Sequence, residues 1–380
     1  MKVLLVFGTR PEAIKLAPVI RALAARAPAL RTVICVTAQH RAMLDQILRL
    51  FRIVPDHDLD LMRSDQDHLE VLEEALRGVR QVMDRERPDL VLVQGDTTTA
   101  LAAALAAGYR RVPVAHVEAG LRTHDPAQPF PEEINRRLTA GLAALHFAPT
   151  EAARANLRAE GVPDSAIFVT GNTGIDALLM TVDRGYRFRD GVLAGLDFAK
   201  TKVILVTAHR RESFGPPLAQ ICRAIRALVE TRPEVAVVFP VHPNPHVQPI
   251  VHGELGALER VHLVPPLDYE AFVQVLDRAH LVLTDSGGIQ EEAPCLGKPV
   301  VVLRRLTERP EALAAGSAVL AGTDPGDILR ETSRLLDDPA AYADRAVPRT
   351  PFGDGQAAGR IAEVIASWAD RQRRTDAPGA

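Results

Sequence analysis

Three carboxylates in one stretch of this chain sit where they could move protons. Asp96 follows the apolar run Leu90-Val91-Leu92-Val93 and the dipeptide Gln94-Gly95. Glu118 follows a second apolar run, Val112 to Val117, and Glu132 follows Pro131 at a helix start. Short β-type runs that break abruptly at a carboxylate, Gly or Thr, with Ala-rich helix between them, deliver side chains to the ligand edge of a parallel α/β sheet. Asp96, Glu118 and Glu132 are therefore expected in one crevice. With no metal-ligand spacing around them, the expected chemistry is general acid/base work. Each residue also has a plainer use. Glu132 and Arg136 have the i,i+4 spacing of a helix ion pair, and Asp96 could cap the helix that starts at Thr97.

A second set of residues suits a phosphate. Thr284-Asp285-Ser286-Gly287-Gly288 follows an apolar strand and opens a helix through Ile289-Gln290-Glu291-Glu292. Glycines there let backbone amides approach an anion, and the helix dipole favours negative charge. Glu292, inside that helix, could accept from ribose hydroxyls. His209-Arg210-Arg211 stands after the run Val203–Thr207, and Arg309 precedes Pro310. Charge-assisted donors of this kind suit a pyrophosphate, above all as a leaving group. Gly8-Thr9-Arg10-Pro11 after the first apolar run offers a further anion site at a helix start.

Other chemistries lack their residues. Gly8 stands alone where a dinucleotide-binding GxGxxG would be needed, so no nicotinamide cofactor is expected. Asp56-His57-Asp58-Leu59-Asp60 resembles a metal-binding DxD only superficially and reads as a polar linker. His242 and His246 are separated by prolines that deny them the helical i,i+4 geometry of a metal pair, so His242 reads as a loop residue and no metal is expected. GxSxG is absent.

The elements that must position these residues follow the same grammar in both halves. The first half reads as strands at Val3–Phe7, Thr32–Thr37, Leu90–Val93, Val112–Val117, Leu145–Ala148 and Ile167–Thr170. Its helices include Pro11–Ala27, Arg41–Phe51, Leu69–Arg87, Thr97–Ala107, Pro131–Ala140 and Thr150–Glu160. A charged, Gly-punctuated stretch from 183 to 202 marks a boundary. Strands then resume at Val203–Thr207, Val235–Val241, Val261–Val264, Leu281–Thr284 and Val300–Leu303, and a last helix spans Gly355–Arg373. The organisation expected is an α/β protein of two doubly wound, Rossmann-like domains with the active site in the cleft between them. The domains are residues 1–182 and 183–353. A C-terminal helix (354–374) packs back on the first domain and a disordered tail (375–380) follows.

At 380 residues two domains are the natural expectation. A net charge of −3 gives no footprint for nucleic acid or an anionic membrane surface. No run reaches the ~18 apolar residues of a membrane span. Cys35, Cys222 and Cys295 are odd in number and far apart, which suits a reducing cytoplasm.

Ordered blocks along almost the whole chain resemble the non-hydrolysing UDP-N-acetylglucosamine 2-epimerase family. They are Phe7–Pro18, Val36–Gln46, Gln94–Thr99, His116–Thr123, Pro131–Arg136, Val169–Leu178, Thr207–Gly215, Leu283–Gly297, Thr307–Ala312 and Phe352–Gln356. The resemblance implies a GT-B fold and cofactor-free interconversion of UDP-GlcNAc and UDP-ManNAc. UDP is eliminated to give 2-acetamidoglucal and re-added, in support of cell-surface polysaccharide precursor synthesis. Carried over by position, Arg10, Lys15, Asp96, Glu118, His209, Phe272, Ser286, Gly287, Gly288, Glu292 and Arg309 bind the UDP-sugar. Asp96, Glu118 and Glu132 supply acid/base groups, with His209 near the diphosphate. A homodimer is also implied. Gln39, Glu132, Arg210 and His242 match the lining of a second, activating UDP-GlcNAc site in some members, but Ala42 and Asp65 replace polar or basic residues there. Leu267 stands where some members place Gln near the uracil. The alternatives are an epimerase of a modified UDP-GlcNAc derivative, a GT-B glycosyltransferase and a non-catalytic nucleotide-sugar sensor.

Overall fold

The computed structural model describes residues 1–38, 41–61, 63, 66–189 and 191–376. The chain forms two compact units, Met1–Met180 with Phe352–Ala380, and Thr181–Pro351. These divisions fall two residues before the positions 182 and 353 read from sequence, and hydrogen bonding accounts for both. The Thr181 carbonyl accepts from Gln274 Nε2 at 2.7 Å, tying Thr181 to the second unit. The Phe352 carbonyl accepts from the Asn172 amide at 2.7 Å, tying Phe352 to the first.

The first unit is built on a parallel sheet of seven strands. They are β1 (Lys2–Phe7), β2 (Arg31–Val36), β3 (His57–Asp58), β4 (Leu90–Gln94), β5 (Val114–Val117), β6 (Leu145–Ala148) and β7 (Ile167–Val169), in spatial order β3-β2-β1-β4-β5-β6-β7. The central strands are continuous apolar runs because helices cover both sheet faces. Val3 to Phe7 and Leu90 to Val93 are all fully buried. The helix Thr98–Tyr109 is so rich in alanine that most of it is buried between the sheet and its neighbours. The strand order reverses direction between β1 and β4, so the loops leaving those two strands diverge and open the crevice in which doubly wound sheets bind ligands.

The second unit repeats the plan with six parallel strands. They are β8 (Lys202–Thr207), β9 (Val235–Pro240), β10 (Val261–Val264), β11 (Leu281–Thr284), β12 (Val300–Val302) and β13 (Ala318–Leu320), in order β10-β9-β8-β11-β12-β13. Its reversal lies between β8 and β11. The two units are thus α/β sheets of the same design, each with one switch point.

Several boundaries differ from the sequence reading. The first helix is Arg10–Ala24, and the last is Ala357–Asp376. Residues 375 and 376 therefore belong to that helix rather than to a tail, and 377–380 lie outside the described residues. The DxD-like stretch is not a plain linker. His57 and Asp58 form β3 against β2, and Arg41 engages both Asp58 (2.5 Å) and Asp60 (2.7 Å). A further helix, Thr173–Thr181, absent from the sequence reading, starts within the Gly171-Asn172-Thr173-Gly174 stretch that interrupts the pattern there.

Candidate active site at two switch points

At the first switch point, the loop after β1 is fixed by a residue that sequence reasoning passed over. Glu12 is buried. Its carboxylate accepts from the amides of Gly8 (3.0 Å) and Thr9 (2.8 Å) and from Thr97 Oγ1 (2.7 Å). It thereby ties the turn after β1 to the start of the helix after β4. Gly8 is required by close approach, since a Cβ there would lie 2.0 Å from Thr37 Oγ1. Arg10 and Lys15 both lie on the helix this turn opens.

Lys15 Nζ is ion-paired with Glu118 Oε2, and Gln94 Nε2 donates to the same oxygen at 2.6 Å. The ends of β4 and β5 and the first helix therefore converge on one carboxylate. Glu118 takes a left-handed backbone (φ +64°), a conformation that costs a non-glycine residue about 1–2 kcal/mol. Strain of this kind persists where surrounding structure over-determines it, and it clusters at functional sites.

Asp96 is held from the neighbouring helix, Glu132–Leu142. Asn135 Nδ2 donates to the Asp96 carbonyl at 2.9 Å, and Arg136 is ion-paired with the Asp96 carboxylate. The Asp96 carboxyl lies above the usual aspartate range. Burial is the main cause, opposed by the Arg136 charge and reinforced by that of Glu118. Two of the plainer readings are corrected. The cap of the helix Thr98–Tyr109 is Thr97, whose hydroxyl accepts from Ala100 N at 3.1 Å, so Asp96 is not spent on capping. Among the described residues Arg136 pairs with Asp96 and Glu133, so the i,i+4 pair with Glu132 is not formed. Glu132 is half-buried at the helix start. Its neighbour Glu133, which the sequence reading did not single out, is fully buried. It accepts from the Thr123 and His124 amides at 3.1 and 3.3 Å and pairs with Arg136 and Arg137. Burial works to raise the Glu133 carboxyl, but these donors outweigh it and hold it below the usual range.

At the second switch point, Asp285 leaves β11 and is completely buried. Its Oδ2 accepts from the amides of His209 (2.9 Å) and Arg210 (2.8 Å) and from Ser213 Oγ (3.2 Å). The loop after β8 is thus pinned to the end of β11. His209 stacks on His242, which leaves the end of β9, with ring centroids 5.6 Å apart and planes 9° from parallel. The His242 Nδ1 accepts from the Asn244 amide at 3.2 Å, which requires that nitrogen to be unprotonated.

The helix Gly287–Cys295 opens directly after Asp285 and Ser286, and the Ser286 hydroxyl does not cap it. A Cβ on Gly287 would lie 3.6 Å from the guanidinium groups of both Arg210 and Arg309, so two cations flank this helix N-terminus. Arg309 is oriented by an ion pair with Glu291, one turn into the helix. Glu292 and Phe272 are half-buried, the latter on the helix Tyr269–Arg278. Gln39 lies outside the described residues. The structure thus gathers Lys15, Asp96 and Glu118 in the first unit, and His209, Arg210, His242, Gly287 and Arg309 in the second.

The comparisons with known proteins converge. The UDP-N-acetylglucosamine 2-epimerase family model matches residues 22–366. The chain belongs to this family. It is 52% identical over 370 residues to the UDP-N-acetylglucosamine 2-epimerase of Escherichia coli K12, covering 96% of this chain and 98% of that protein. It superimposes on the UDP-GlcNAc 2-epimerase of Neisseria meningitidis bound to UDP-GlcNAc with a TM-score of 0.86 at 44% identity, covering 97% and 100% of the two chains. The enzyme of Methanocaldococcus jannaschii in complex with UDP-GlcNAc and UDP gives a TM-score of 0.77 at 33% identity, again covering 97% and 100%. The two parallel sheets with interleaved helices are accordingly the two Rossmann-like units of the GT-B-like epimerase fold. Among the described residues no helix is long and apolar enough to cross a membrane.

Proposed function

We propose that this chain interconverts UDP-GlcNAc and UDP-ManNAc by eliminating UDP and re-adding it. A C2–H next to no carbonyl is a poor acid. As the C1–O bond to the diphosphate stretches, C1 gains positive character and the C2 proton becomes removable. A carboxylate takes that proton, the C2–H pair forms the C1=C2 bond of 2-acetamidoglucal, and the C1–O pair leaves on UDP. Re-addition delivers a proton to the opposite face of C2 and returns the UDP oxygen to C1.

The observation that carries this reading is the arrangement around Asp96. Its carboxyl is pushed up towards the working pH by burial, and it sits beside a second carboxylate, Glu118, already engaged by Lys15. Carboxyl groups of unlike environment are how a site divides acid and base roles. Asp96 transfers the C2 proton, and Glu118 and Glu132 share or relay it. Arg10, His209, Arg309 and the helix start at Ser286, Gly287 and Gly288 bind and stabilise the departing diphosphate. Glu292 accepts from the ribose, and Phe272 contacts the nucleotide. Gln39, Arg210 and His242 match the lining of a second, activating UDP-GlcNAc site, while Ala42 and Asp65 depart from it and weigh against activation; a strong rise in the reverse rate on adding UDP-GlcNAc would show that the site works. The three cysteines are buried and none is in a disulfide, which fits work in a reducing cytoplasm; the product would supply precursors for surface polysaccharide.

The test is proton and phosphorus NMR with UDP-GlcNAc in deuterated water, without added metal or nicotinamide. UDP-ManNAc with deuterium at C2 of both epimers is expected. Free ManNAc with UDP, or an unchanged and undeuterated substrate, overturns the reading.

We also propose a homodimer through the first unit. Leu69 (68% exposed), Leu76, Phe130 (63%), Ile134 and Leu138 (51%) leave apolar surface on the helices His68–Glu86 and Glu132–Leu142 and the loop before the latter. The ring of Phe130 meets that of His68 edge-on at 6.2 Å, joining the two parts. Exposed apolar surface of this extent is a mark of association. Light scattering should give twice the chain mass, and Leu69→Glu with Leu138→Glu should halve it.

A further inference from the structure

We infer that Asp285 is a positioning residue that fixes the ring tautomer of His209, holding the Nδ1 proton on the Asp285 side and presenting Nε2 to the diphosphate. The inference rests on the proposed reaction for its functional consequence, but its structural content does not.

The two oxygens of the Asp285 carboxylate are used differently. Oδ2 is saturated by the His209 and Arg210 amides and the Ser213 hydroxyl. Oδ1 is equally buried and has no hydrogen-bond partner among the described residues. An unmatched buried carboxylate oxygen is costly, because nothing replaces the water it has lost. The group facing it is His209 Nδ1, 3.5 Å away. That separation is just beyond a normal N–H···O bond, and a shift of a few tenths of an ångström in the His209 side chain closes it while the ring stays stacked on His242. Oδ1 can only accept, so the matching tautomer carries its proton on Nδ1. Asp285 is 0% exposed while the His209 side chain is 42% exposed, so the ring's other edge, with Nε2, is the accessible one.

The consequence is chemical. Burial lowers the His209 pKa, the neighbouring His242 and Arg210 lower it further, and Asp285 alone among the groups around it raises it. A ring already protonated on Nδ1 and backed by a carboxylate takes a second proton from solvent at its exposed Nε2 when the negative charge of a diphosphate arrives. It then offers an N–H donor to the oxygen on which charge develops. A ring with the opposite tautomer would instead leave Asp285 Oδ1 unmatched.

Asp285→Asn tests this with little change of shape. The three donors on Oδ2 dictate which way the amide lies, because only its oxygen can accept from them. Its NH2 must then face His209 Nδ1, which it can do only if that nitrogen is bare. The substitution therefore flips the tautomer. Long-range proton–nitrogen correlation spectra of histidine-labelled protein, assigned with His209→Gln, read this directly in the free protein. Expected are a proton on Nδ1 in the wild type and on Nε2 in Asp285→Asn. The kcat for UDP-GlcNAc should fall on the order of 10²-fold, with KM changed less than about threefold. Ser213→Ala removes one Oδ2 donor and leaves Oδ1 alone, so it should keep the wild-type tautomer and a kcat within about threefold. A wild-type ring protonated on Nε2 overturns the inference, whether or not Asp285→Asn folds. So does Asp285→Asn with the flipped tautomer and unchanged kcat. Ser213→Ala matching the kcat loss of Asp285→Asn reduces Asp285 to a loop anchor. Should the wild type fail to epimerise UDP-GlcNAc, the functional reading fails while the nitrogen spectra still decide the tautomer.

Discussion

Arg136 is ion-paired with Asp96, forty residues earlier in the chain, although Glu132 stands one helical turn before it. The helix Glu132–Leu142 therefore turns its cation towards the end of β4, and Asp96 feels two opposed influences. Burial pushes its carboxyl up and Arg136 pulls it back.

Removing that cation should show which influence matters to catalysis. A carboxylate that takes a proton works only when ionised, so activity rises with pH through its pKa. Arg136→Gln leaves burial and the Glu118 charge unopposed apart from Lys15, so the Asp96 pKa climbs further. The acidic limb of kcat against pH should move to higher pH, measured by coupled assay over pH 5–9. Asp96→Asn should remove the limb and cut C2 deuterium incorporation by about 10²-fold or more, the usual scale for losing a positioned base.

Glu118 offers a separation of stability from function. Its left-handed backbone suits glycine and penalises any residue with a Cβ. Glu118→Gly should be about 1 kcal/mol more stable than Glu118→Ala in urea denaturation, and both should lose epimerisation. Equal stabilities would mean the strain is relieved elsewhere.

The helix start at Gly288 makes the reverse distinction. A Cβ there meets nothing within 4 Å, and Gly288 is exposed in the first turn of its helix. Gly288→Ala should leave stability unchanged or raise it by up to about 1 kcal/mol. If the amides there approach a phosphate closely, UDP affinity by calorimetry should nonetheless fall about tenfold.

The sequence made the strands readable where helices bury both faces, since Val3–Phe7 and Leu90–Val93 allow no other placement. It hid β3 and β13, because two and three residues hold no period, and it hid the helix from Thr173 behind the glycines at 171 and 174. The carboxylates at strand ends were legible for a topological reason: the switch points lie at β1/β4 and β8/β11, and Asp96 and Asp285 leave β4 and β11. Their partners were not legible. Spacing allows Arg136 to meet Glu132, Glu133 or Asp96, and only the position of β4 beside that helix decides. Asp285 lies inside a glycine loop whose amides are its conspicuous anion donors, and nothing in the spacing shows that its own side chain meets the loop after β8. Glu12 looked like an ordinary first-turn acid, and only the approach of Thr97 from another loop makes it a bridge.

Two histidines that the proposed reaction does not use should govern acid stability. His116 on β5 and His146 on β6 are register partners in the sheet and almost completely buried. His116 Nε2 is hydrogen-bonded to the Gly95 carbonyl at 2.7 Å, which is the residue before Asp96. Burial is the main reason that the His116 pKa falls to about 3 and that of His146 to about 4, against 6.5 unperturbed. Both rings are therefore neutral in the folded chain, while the unfolded chain protonates them below pH 6.5. Between there and pH 4 the unfolded state binds more protons, so stability falls as pH falls, by up to about 1.4 kcal/mol per pH unit for each ring. Glu12, raised by burial, acts with the opposite sign, so the comparison must be made against a variant rather than in absolute terms. His116→Asn removes one of the two titrations. Its stability should be lower than wild type at pH 7, where the Gly95 contact is weakened, but should decline less steeply from pH 6.5 to 4, by about one proton's worth of slope. Parallel curves for wild type and variant in chemical denaturation would show that His116 is protonated in the folded state and that its burial does not set the acid limit.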